Sequence, residues 1–345
     1  MSYKYVIGID VSKDTLALSI LREGELISQQ NIANQKEAIQ KWLLESRKSL
    51  HTTPAKTLYC LEHTGIYSQP VIKILQGKKL KLWIESGLQI HKSLGIQRGK
   101  SDPVDSMRIA QYALTNQQKA RFYEPKREEL ERLKLLNSLK IRLQSVIHQL
   151  QLSLKENKRF SKAKVSSEIQ KMCRVSIQSI EKDLEATQKT MMDIITMDKT
   201  LNHLFKIITS VENIGTVTAI EIILATNEFK NFDSPSKFAC YCGIAPFEHS
   251  SGTSVKGKTR VSHLANKRVK TILHMAAVSS LHSKGELRVY YERKVAEGHN
   301  KMSVINAIRN KLIHRIFACV KEDRMYEKRI LKGIGKNENR LLAVS

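Results

Sequence analysis

Four acidic residues stand at positions where a carboxylate needs an explanation. Asp10 lies near the end of the apolar segment YKYVIGIDV, and Glu62 ends the apolar segment KTLYCLE. Asp102 and Asp105 lie three residues apart in GKSDPVDSMR. A charge at the end of a buried strand is costly unless it is exposed, paired or bound to a cation. Four carboxylates brought together would suit one or two divalent cations, which prefer hard oxygen ligands.

The aspartate pair also suits the start of a helix. Pro103 fits the first helical position and Asp102 the capping position before it, which makes Asp105 the third helical residue. Both carboxylates would then lie at one helix N-terminus, where negative charge is favoured for purely structural reasons. Each aspartate alone therefore has an adequate structural explanation, and the hypothesis of a metal site depends on the set of four.

The charge balance indicates a polyanionic partner. The 345 residues include 58 Lys and Arg against 33 Asp and Glu, a net charge of +25. Nucleic acid is the leading candidate partner, with a membrane surface or a ribosome as alternatives that charge alone also allows. Metal-bound carboxylates in such a protein would serve to cut or join phosphodiesters. Arg98 and Lys100, just before the aspartate pair, are candidate phosphate contacts.

Other sequence features exclude several classes. No segment approaches the roughly 20 apolar residues of a membrane span, and MSYKYVIGID has no signal-peptide pattern, so we expect a cytoplasmic protein with no membrane partner. The five cysteines are scattered and odd in number, which argues against a disulfide framework. We interpret them as reduced core residues, including the close pair Cys240 and Cys242, whose spacing is not that of a zinc site.

Three regions differ in pattern. Residues 1–124 contain three apolar segments typical of a strand meander, then strands alternating with helices, which predicts an α/β domain. In residues 125–204, Gly and Pro are absent from residue 126 onward, and apolar residues recur at alternating steps of four and three, with Lys140, Thr187 and Asp198 as polar members. This heptad predicts an antiparallel coiled-coil hairpin that turns within KENKRFSKAKVSSE.

The hairpin either packs on itself or joins two subunits, and a helical bundle subdomain without partners is an alternative. Residues 205–345 form the third region. Its segment ENIGTVTAIEIILATNEF predicts a turn and a helix, SPSKFACYCG a capped short helix, and SSGTSVKGKTR a loop of small and basic residues. Two or three helices are predicted over residues 263 to 324, so this region is expected to be mostly α.

The acidic motifs resemble a known family. GIDVSKDTLALSIL, LEHTGIY and KSDPVDSMRIA resemble the acidic tetrad of DEDD-type insertion-sequence transposases, relatives of the Piv-type DNA invertases. The resemblance covers nearly the whole chain, because heptads and a C-terminal block follow in the family's order. It implies an α/β N-terminal ribonuclease-H-like (RuvC-like) domain, an antiparallel coiled coil and a mostly α C-terminal transposase domain. It also implies that Mg²⁺ or Mn²⁺ is held by Asp10, Glu62, Asp102 and Asp105.

The C-terminal block resembles the family's second signature. In YCGIAPFEHSSGTSVKGKTRVSHLANKRVK the resemblance makes Ser251 the nucleophile, with Ser250 the nearest rival. Read alone, Ser-Ser-Gly is a turn, and a serine hydroxyl is a weak nucleophile without a base or a metal. Nearby basic residues would hold a phosphate or form a solvated binding face. They are Lys256, Lys258, Arg260, Lys267 and Arg268.

The resemblance implies a reaction and its partners. Ser251 would attack a DNA phosphate to form a phosphoserine link, and a hydroxyl of the other DNA would reverse the attack. A bridge RNA would select donor and target DNA, and a homodimer or tetramer would assemble through the coiled coil, with the protein nucleoid-associated when active. Two departures concern other positions: Glu212-Asn213 replaces a proline-glycine, and Ala265 replaces a glycine.

Three rivals are open to comparison. A metal-dependent, structure-selective nuclease of the junction-resolvase type needs only the first domain and forms no covalent intermediate. Sugar and acetate kinases of the actin-like fold also open with a strand and an aspartate, but Val11-Ser12-Lys13 lacks the glycine of their phosphate loop. A non-catalytic nucleic-acid-binding scaffold would tolerate Asp10→Ala.

Overall fold

Five apolar segments in the first third of the chain form one sheet. The strands are β1 (Tyr5–Val11), β2 (Thr15–Arg22), β3 (Glu25–Ala33), β4 (Thr57–Glu62) and β5 (Lys81–Glu85). Their order is β3-β2-β1-β4-β5, with β1–β2 and β2–β3 antiparallel and β1–β4 and β4–β5 parallel. This antiparallel meander continued by parallel strands confirms the expected ribonuclease-H-like α/β fold.

The computed structural model describes residues 3–51, 53–62, 64–93, 95, 101–251 and 255–327, and the side chains of residues 248–260 lie outside this description. The chain divides into two compact units, Met1–Pro125 and Lys126–Ser345. Among the described residues, no helix is long and apolar enough to cross a membrane. The five cysteines form no disulfide, in agreement with their interpretation as thiols.

Helices cover both faces of the sheet in the first unit. They are α1 (Lys36–Leu50), α2 (Gln69–Gly77), α3 (Gly87–Ser93) and α4 (Asp102–Asn116), joined in part by short 3₁₀ turns. Because strand side chains alternate, Tyr5, Ile7 and Ile9 pack with α1 and α2, whereas Val6 packs with α3 and α4. The sheet is therefore the middle of three layers.

The second unit is mostly helical, as expected. Its helices are α5 (Glu128–Phe160), α6 (Ala163–Met197), α7 (Lys199–Ser210), α8 (Thr216–Thr226), α9 (Pro235–Tyr241), α10 (Lys267–His282), α11 (Glu286–Ala296) and α12 (Lys301–Lys321). Their apolar faces share one core that includes Leu133, Ile208, Phe238 and Ile313. Ser234 caps α9 by accepting a hydrogen bond from the Lys237 backbone N–H at 3.3 Å, which confirms the predicted capped helix.

The two long helices α5 and α6 form a hairpin within one chain. They pack on each other and turn at Ser161 and Lys162, inside the predicted turn segment. Every predicted heptad position from Leu136 to Leu154 and from Cys173 to Leu201 is buried or half-buried. The pattern does not end with the hairpin, because Asp198 and Leu201 belong to the start of α7. Assembly of subunits through the hairpin stays a prediction.

One predicted loop is in fact a second, small sheet. SSGTSVKGKTR was expected to be a loop, but β6 (Pro246–Ser251) and β7 (Val255–Val261) pair antiparallel, with Pro246 opposite Val261 and Ser251 opposite Val255. The prediction was wrong because small and basic residues lack the apolar alternation that indicates a strand. Backbone pairing between the two strands forms the hairpin without that sequence signal.

Arg127 joins three segments of the second unit. Its Nη1 and Nη2 donate to the two carboxylate oxygens of Asp198 at 2.7 and 3.0 Å, and its Nε donates to Glu228 at 3.1 Å. The Glu228 side chain is only 2% exposed. These contacts lower the pKa of Asp198, chiefly through the hydrogen bonds from Arg127. The heptad's polar exception is thus a helix cap and an ion-pair partner.

We expect Arg127→Ala to destabilise the second unit by about 3 kcal/mol, because the buried Glu228 carboxylate loses its main cation. Chemical unfolding in urea, followed by circular dichroism, measures the change. Arg142→Ala, at an exposed position of α5, is the matched control and should have little effect. Equal stability of the two variants would contradict the role given to Arg127.

Candidate active site at the carboxyl ends of β1 and β4

The parallel pairing of β1 with β4 brings two of the four carboxylates to one edge of the sheet. The register pairs Ile9 with Leu61, so the next residues, Asp10 and Glu62, lie side by side on neighbouring strands. Both side chains are half-buried. Carboxyl ends of parallel strands are where open α/β sheets commonly bind ligands.

Strand alternation also places these two carboxylates on the same face. Val6 of β1 and Leu58 and Cys60 of β4 pack with α3 and α4. Asp10 and Glu62 are an even number of residues further along their strands, so they point to that face too. The face that receives α4 is therefore the face on which Asp10 and Glu62 end their strands.

Helix α4 approaches the sheet through Gly8. A Cβ atom at Gly8 would lie 2.2 Å from the Ser106 carbonyl oxygen and 2.4 Å from the Ala110 backbone nitrogen. Real Cβ atoms do not tolerate such distances, so only glycine at this position lets α4 lie directly on β1. The contact is four residues along α4 from Asp102 and one from Asp105.

Three polar side chains hold the first turn of α4 in place. The Ser19 and Ser106 hydroxyl oxygens lie 2.8 Å apart in a buried hydrogen bond between β2 and α4. Gln29 of β3 donates from Nε2 to the Ser19 hydroxyl at 2.9 Å and to the Pro103 carbonyl at 2.7 Å. The N-terminus of α4 is thus positioned by β1, β2 and β3.

The helix begins one residue earlier than predicted. Ser101 is the capping residue, and its side chain makes no capping hydrogen bond, so Asp102 is the first helical residue and Pro103 the second. The prediction misplaced the boundary because proline is compatible with either of the first helical positions. Asp102 is exposed and does not act as the cap, although its charge still lies in the first turn of the helix, where negative charge is favoured.

The four carboxylates act on one another electrostatically. Burial, then the negative charges of Asp105, Asp102 and Glu62, raise the pKa of Asp10 from 3.8 to about 6. Like charges that share a site disfavour ionisation in this way. Asp105 is balanced in part by Arg108, whose Nη1 donates to its Oδ1 at 2.8 Å. The sheet edge therefore concentrates negative charge in a protein that is otherwise strongly basic.

The neighbouring carboxylate on β5 has a different environment. Glu85 lies beside Glu62 in the register, accepts a hydrogen bond from the Tyr112 hydroxyl at 3.1 Å, and accepts another from the Ser86 backbone at 2.8 Å. Burial and the Glu85 charge raise the pKa of Tyr112 to about 12. The protein itself satisfies Glu85, which sets it apart from the tetrad.

The four carboxylates are oxygen donors of the kind that divalent cations prefer, but they do not form a metal cage. Among the residues that the structure describes, no group of three His, Cys, Asp or Glu side chains has the spacing to hold a metal ion. The four carboxylates are close enough for their charges to affect Asp10, but they are not close enough to coordinate one metal ion together. A cation among them would remove the repulsion that raises the pKa of Asp10.

The other predicted site residues lie in the second unit, or outside the described residues. Ser250 and Ser251 end β6, and Lys256, Lys258 and Arg260 lie on β7, with side chains outside the described residues. Arg98 and Lys100 also lie outside the described residues.

Lys267 and Arg268 open α10, and only Lys267 is fully exposed. The Nε of Arg268 donates to Glu221 at 2.5 Å, and Glu221 also accepts from the Asn137 amide at 2.9 Å. Arg268 is therefore committed in part to an internal ion pair.

Two family models match the chain. One, described as a transposase of the DEDD type of IS110 elements, matches residues 7–156, and the other, described as "Transposase IS116/IS110/IS902 family", matches residues 205–292. The chain is therefore similar to transposases of the IS116/IS110/IS902 family over both matched segments. It is accordingly an enzyme that acts on DNA, and the first match includes all four carboxylates while the second includes Ser251.

Individual relatives agree with this similarity. The chain is 25% identical to the pilin gene-inverting protein of Moraxella bovis over 95% of this chain and 99% of that protein. It is 26% identical to an uncharacterized 43.6 kDa protein of insertion element IS110 from Streptomyces coelicolor, over 37% of this chain and 31% of that protein. Thermus thermophilus RuvC, solved with a Holliday junction substrate, overlays 35% of this chain and 100% of its own, at 13% identity and a TM-score of 0.29. The strand order, rather than this overlay, defines the fold of the first unit.

Sequence reasoning missed three contributors to this site. Gly8, two residues before Asp10, carried a signal, because glycine inside a strand often marks a close backbone approach. Ser19 and Gln29 carried none, since polar residues on a strand are ordinary until the helix that they contact is known.

Gly8→Ala is expected to displace α4 and to lower the rate of metal-dependent DNA cleavage by about 100-fold, because misplacing reacting groups by about 1 Å costs that much. Cleavage of a labelled DNA substrate measures the rate, and thermal unfolding shows whether the variant folds. Gly77→Ala is the control, since a Cβ at Gly77 meets nothing within 4 Å. Full activity of Gly8→Ala would contradict the positioning role of this contact.

The raised pKa of Asp10 predicts a pH-dependent stability. Between its ordinary value of 3.8 and its folded value of about 6, the folded protein binds a proton that the unfolded chain does not. The contribution of Asp10 to the free energy of unfolding is therefore fully present below pH 3.8, and it is lost as the pH rises through 6. Without divalent cations, Asp10→Asn should unfold at a higher temperature than the unaltered protein at pH 7.5, and the difference should vanish near pH 4.

Thermal unfolding in the presence of a chelator tests this expectation. Asp14→Asn, at an exposed position four residues away, should follow the unaltered protein at every pH. Identical pH profiles for Asp10→Asn and the unaltered protein would show that the tetrad carboxylates do not face one another.

Proposed function

We propose that this transposase cuts and rejoins DNA strands with a divalent metal ion bound by Asp10, Glu62, Asp102 and Asp105. The observation that carries the proposal is the placement of Asp10 beside Glu62 by the β1–β4 register, where burial and then the charges of Asp105, Asp102 and Glu62 raise the pKa of Asp10 to about 6. Perturbed carboxylates of this kind are typical of functional sites. Bound Mg²⁺ or Mn²⁺ would supply stabilisation of negative charge on the phosphate oxygens during displacement.

The residues of the chain divide the work. Asp10 and Glu62 provide oxygen ligands from the sheet edge, and Asp102 and Asp105 provide them from the first turn of α4. Arg108 holds the Asp105 carboxylate through its 2.8 Å contact and so orients it. Gly8 and the Ser19–Ser106 hydrogen bond fix the distance between the helix and the strands. One pair of candidate ligands thus comes from the sheet, and the other comes from a helix that is anchored on that sheet.

The finer part of the proposal concerns Ser251. Its Oγ attacks a DNA phosphorus, the bond from phosphorus to the leaving sugar oxygen breaks, and that oxygen takes up a proton to become a free hydroxyl. A hydroxyl of the other DNA then attacks the phosphoserine, releases Ser251 and joins the new strands. The phosphodiester count is conserved, so the reaction needs no external energy source. The relative named as a pilin gene-inverting protein supports strand exchange as the outcome.

The partners in this proposal are donor DNA, target DNA and a bridge RNA. The net charge of +25 supports a protein that contacts several phosphate backbones at once. A homodimer or tetramer would join the metal site of one subunit to Ser251 of another. Exposed apolar side chains around the turn of the hairpin, Phe160, Met172 and Val175, support subunit contact there.

The second candidate function is a metal-dependent nuclease of the junction-resolvase type. It would use only the first unit, which holds the whole tetrad. It predicts cleavage without any covalent link between protein and DNA. A covalent serine link between protein and DNA, present in the first proposal and absent from the second, distinguishes the two proposals experimentally.

A covalent adduct is the expected result when the protein is mixed with magnesium, labelled donor DNA and RNA transcribed from the DNA that flanks its gene. Denaturing electrophoresis reveals labelled DNA that migrates with the protein. Ser251→Ala and Asp10→Ala should each abolish the adduct, and Ser250→Ala should keep it.

Other outcomes separate the alternatives. Cleavage without an adduct that survives Ser251→Ala would establish the nuclease and overturn the serine mechanism. An adduct lost only in Ser250→Ala would move the nucleophile by one residue. An adduct that forms equally well without RNA would remove the bridge RNA from the proposal.

A further inference from the structure

A buried arginine in the second unit lacks a carboxylate partner. Arg309, in α12, is 6% exposed. Its Nη2 is 2.8 Å from the Nδ1 atom of His274, its Nη1 donates to Asn306 Oδ1 at 3.3 Å, and its buried Nε has no hydrogen-bond partner. Among the residues that the structure describes, no Asp or Glu forms an ion pair with it. Arg127 of the same unit, by contrast, has three carboxylate partners, Glu129, Asp198 and Glu228.

The partners of Arg309 leave its charge unbalanced. A guanidinium has only donors, so His274 accepts through Nδ1 and is neutral in this contact. Burial and the Arg309 charge both lower the pKa of His274, in keeping with a neutral ring. Asn306 is also neutral. A buried charge without a counter-ion is unfavourable, which makes this arginine a group that would gain from an anion.

Arg309 lines a cavity of about 840 Å³ whose polar lining is basic or neutral. The cavity lies between the start of the β6–β7 hairpin and the first half of α12. The polar residues along its wall are His263, Lys270, Ser303, Asn306, Arg309 and Asn310. Within the described part of the chain, no acidic side chain lines it. Its size is that of a small-ligand pocket, enough for a phosphate with its attached sugar.

The wall of the cavity is built to hold these groups in place. Asn306 donates from Nδ2 to the Ile244 carbonyl at 2.8 Å while its Oδ1 receives Arg309, so one side chain joins α12 to the segment before β6. Gly243 has a φ of 62°. A Cβ there would lie 2.4 Å from the Ala265 Cβ and 3.6 Å from Lys270 Nζ. Lys270 therefore packs along the glycine backbone on its way to the cavity.

We propose that this cavity binds one backbone phosphate of a nucleic-acid strand, with Arg309 and Lys270 as the cations that neutralise it. The inference rests on the proposed function in one respect, that the bound polymer is a nucleic acid. Arginine and lysine are the usual phosphate partners, and Ser303, Asn306 and Asn310 supply neutral hydrogen-bonding groups.

The position of the cavity suits a strand that runs along the hairpin. Pro246 and Val261, the first and last residues of β6 and β7, line the cavity. Ser251 ends β6 five residues further along, about 17 Å at the usual rise of a strand. A phosphate in the cavity would anchor the strand at a fixed distance from the proposed nucleophile.

The test measures binding by the full-length Asp10→Ala protein, so that no cleavage intervenes. Fluorescence anisotropy follows labelled single-stranded DNA, duplex DNA and RNA of one sequence over a series of salt concentrations. Lys270→Gln and Arg309→Gln are compared with Lys321→Gln, which removes the same charge from the exposed C-terminal end of α12. Because Lys270 is half-buried rather than buried, its variant keeps the test valid if Arg309→Gln does not fold.

Lys270→Gln should weaken binding about 10-fold at 0.1 M salt. It should also reduce the slope of log K against log salt by about 0.7 on single strands or about 0.9 on duplex DNA, the value for one lost phosphate contact. A smaller salt slope on DNA alone, on RNA alone or on both supports the proposal, and it identifies which nucleic acid the cavity binds.

An unchanged slope on all three probes would overturn the proposal, as would an equal reduction in Lys321→Gln. Failure of the proposed function has a separate signature. In the protein with Asp10 intact, absence of DNA cleavage alongside normal binding would refute the metal-dependent reaction and leave the cavity's phosphate site standing.

Discussion

The contact between the backbone of α4 and Gly8 of β1 is the constraint on which the candidate site depends. Where side chains separate a helix from a sheet, the first turn of the helix stands away from the strand ends. At Gly8 no side chain intervenes, and Ser106 and Ala110 lie directly on the strand. Asp102 and Asp105 are carried in the same first turns, so the close packing of backbone on backbone brings them into electrostatic range of the sheet edge.

The two units of the protein treat buried charge in opposite ways. In the first, burial and then the charges of neighbouring carboxylates raise the pKa of Asp10, and keeping Asp10 ionised costs stability in the absence of a cation. In the second, Arg127 is satisfied on both sides by Asp198 and Glu228. Arg309 resembles neither, because its partners are neutral. The excess of positive charge and the acidic strand ends are the features on which the proposed phosphate and metal-ion sites depend.

In the hairpin of α5 and α6, the apolar heptad and its polar exceptions indicate different things. The heptad correctly indicated two long helices whose seam positions face inward. Its polar members needed the rest of the unit to be understood, since Lys140 is buried beside Glu221 and Asp198 caps α7 while it binds Arg127. Glu221 and Arg127 are distant in sequence from Lys140 and Asp198, so no local pattern indicated those two contacts.

Much of this molecule followed from its sequence because the signals were local. Apolar β-branched segments indicated the five strands, and the heptad period indicated the hairpin. The carboxylates of Asp10 and Glu62 were conspicuous because a charge at the end of a buried strand is costly. The β6–β7 hairpin escaped prediction, because its small and basic residues lack the apolar alternation that indicates a strand. Tertiary structure alone decided that Gly8 admits α4, that Ser19 and Gln29 anchor its first turn, and that Arg309 is buried without a carboxylate. Each of these depends on groups distant in sequence meeting at short range, and only the folded chain brings such groups together.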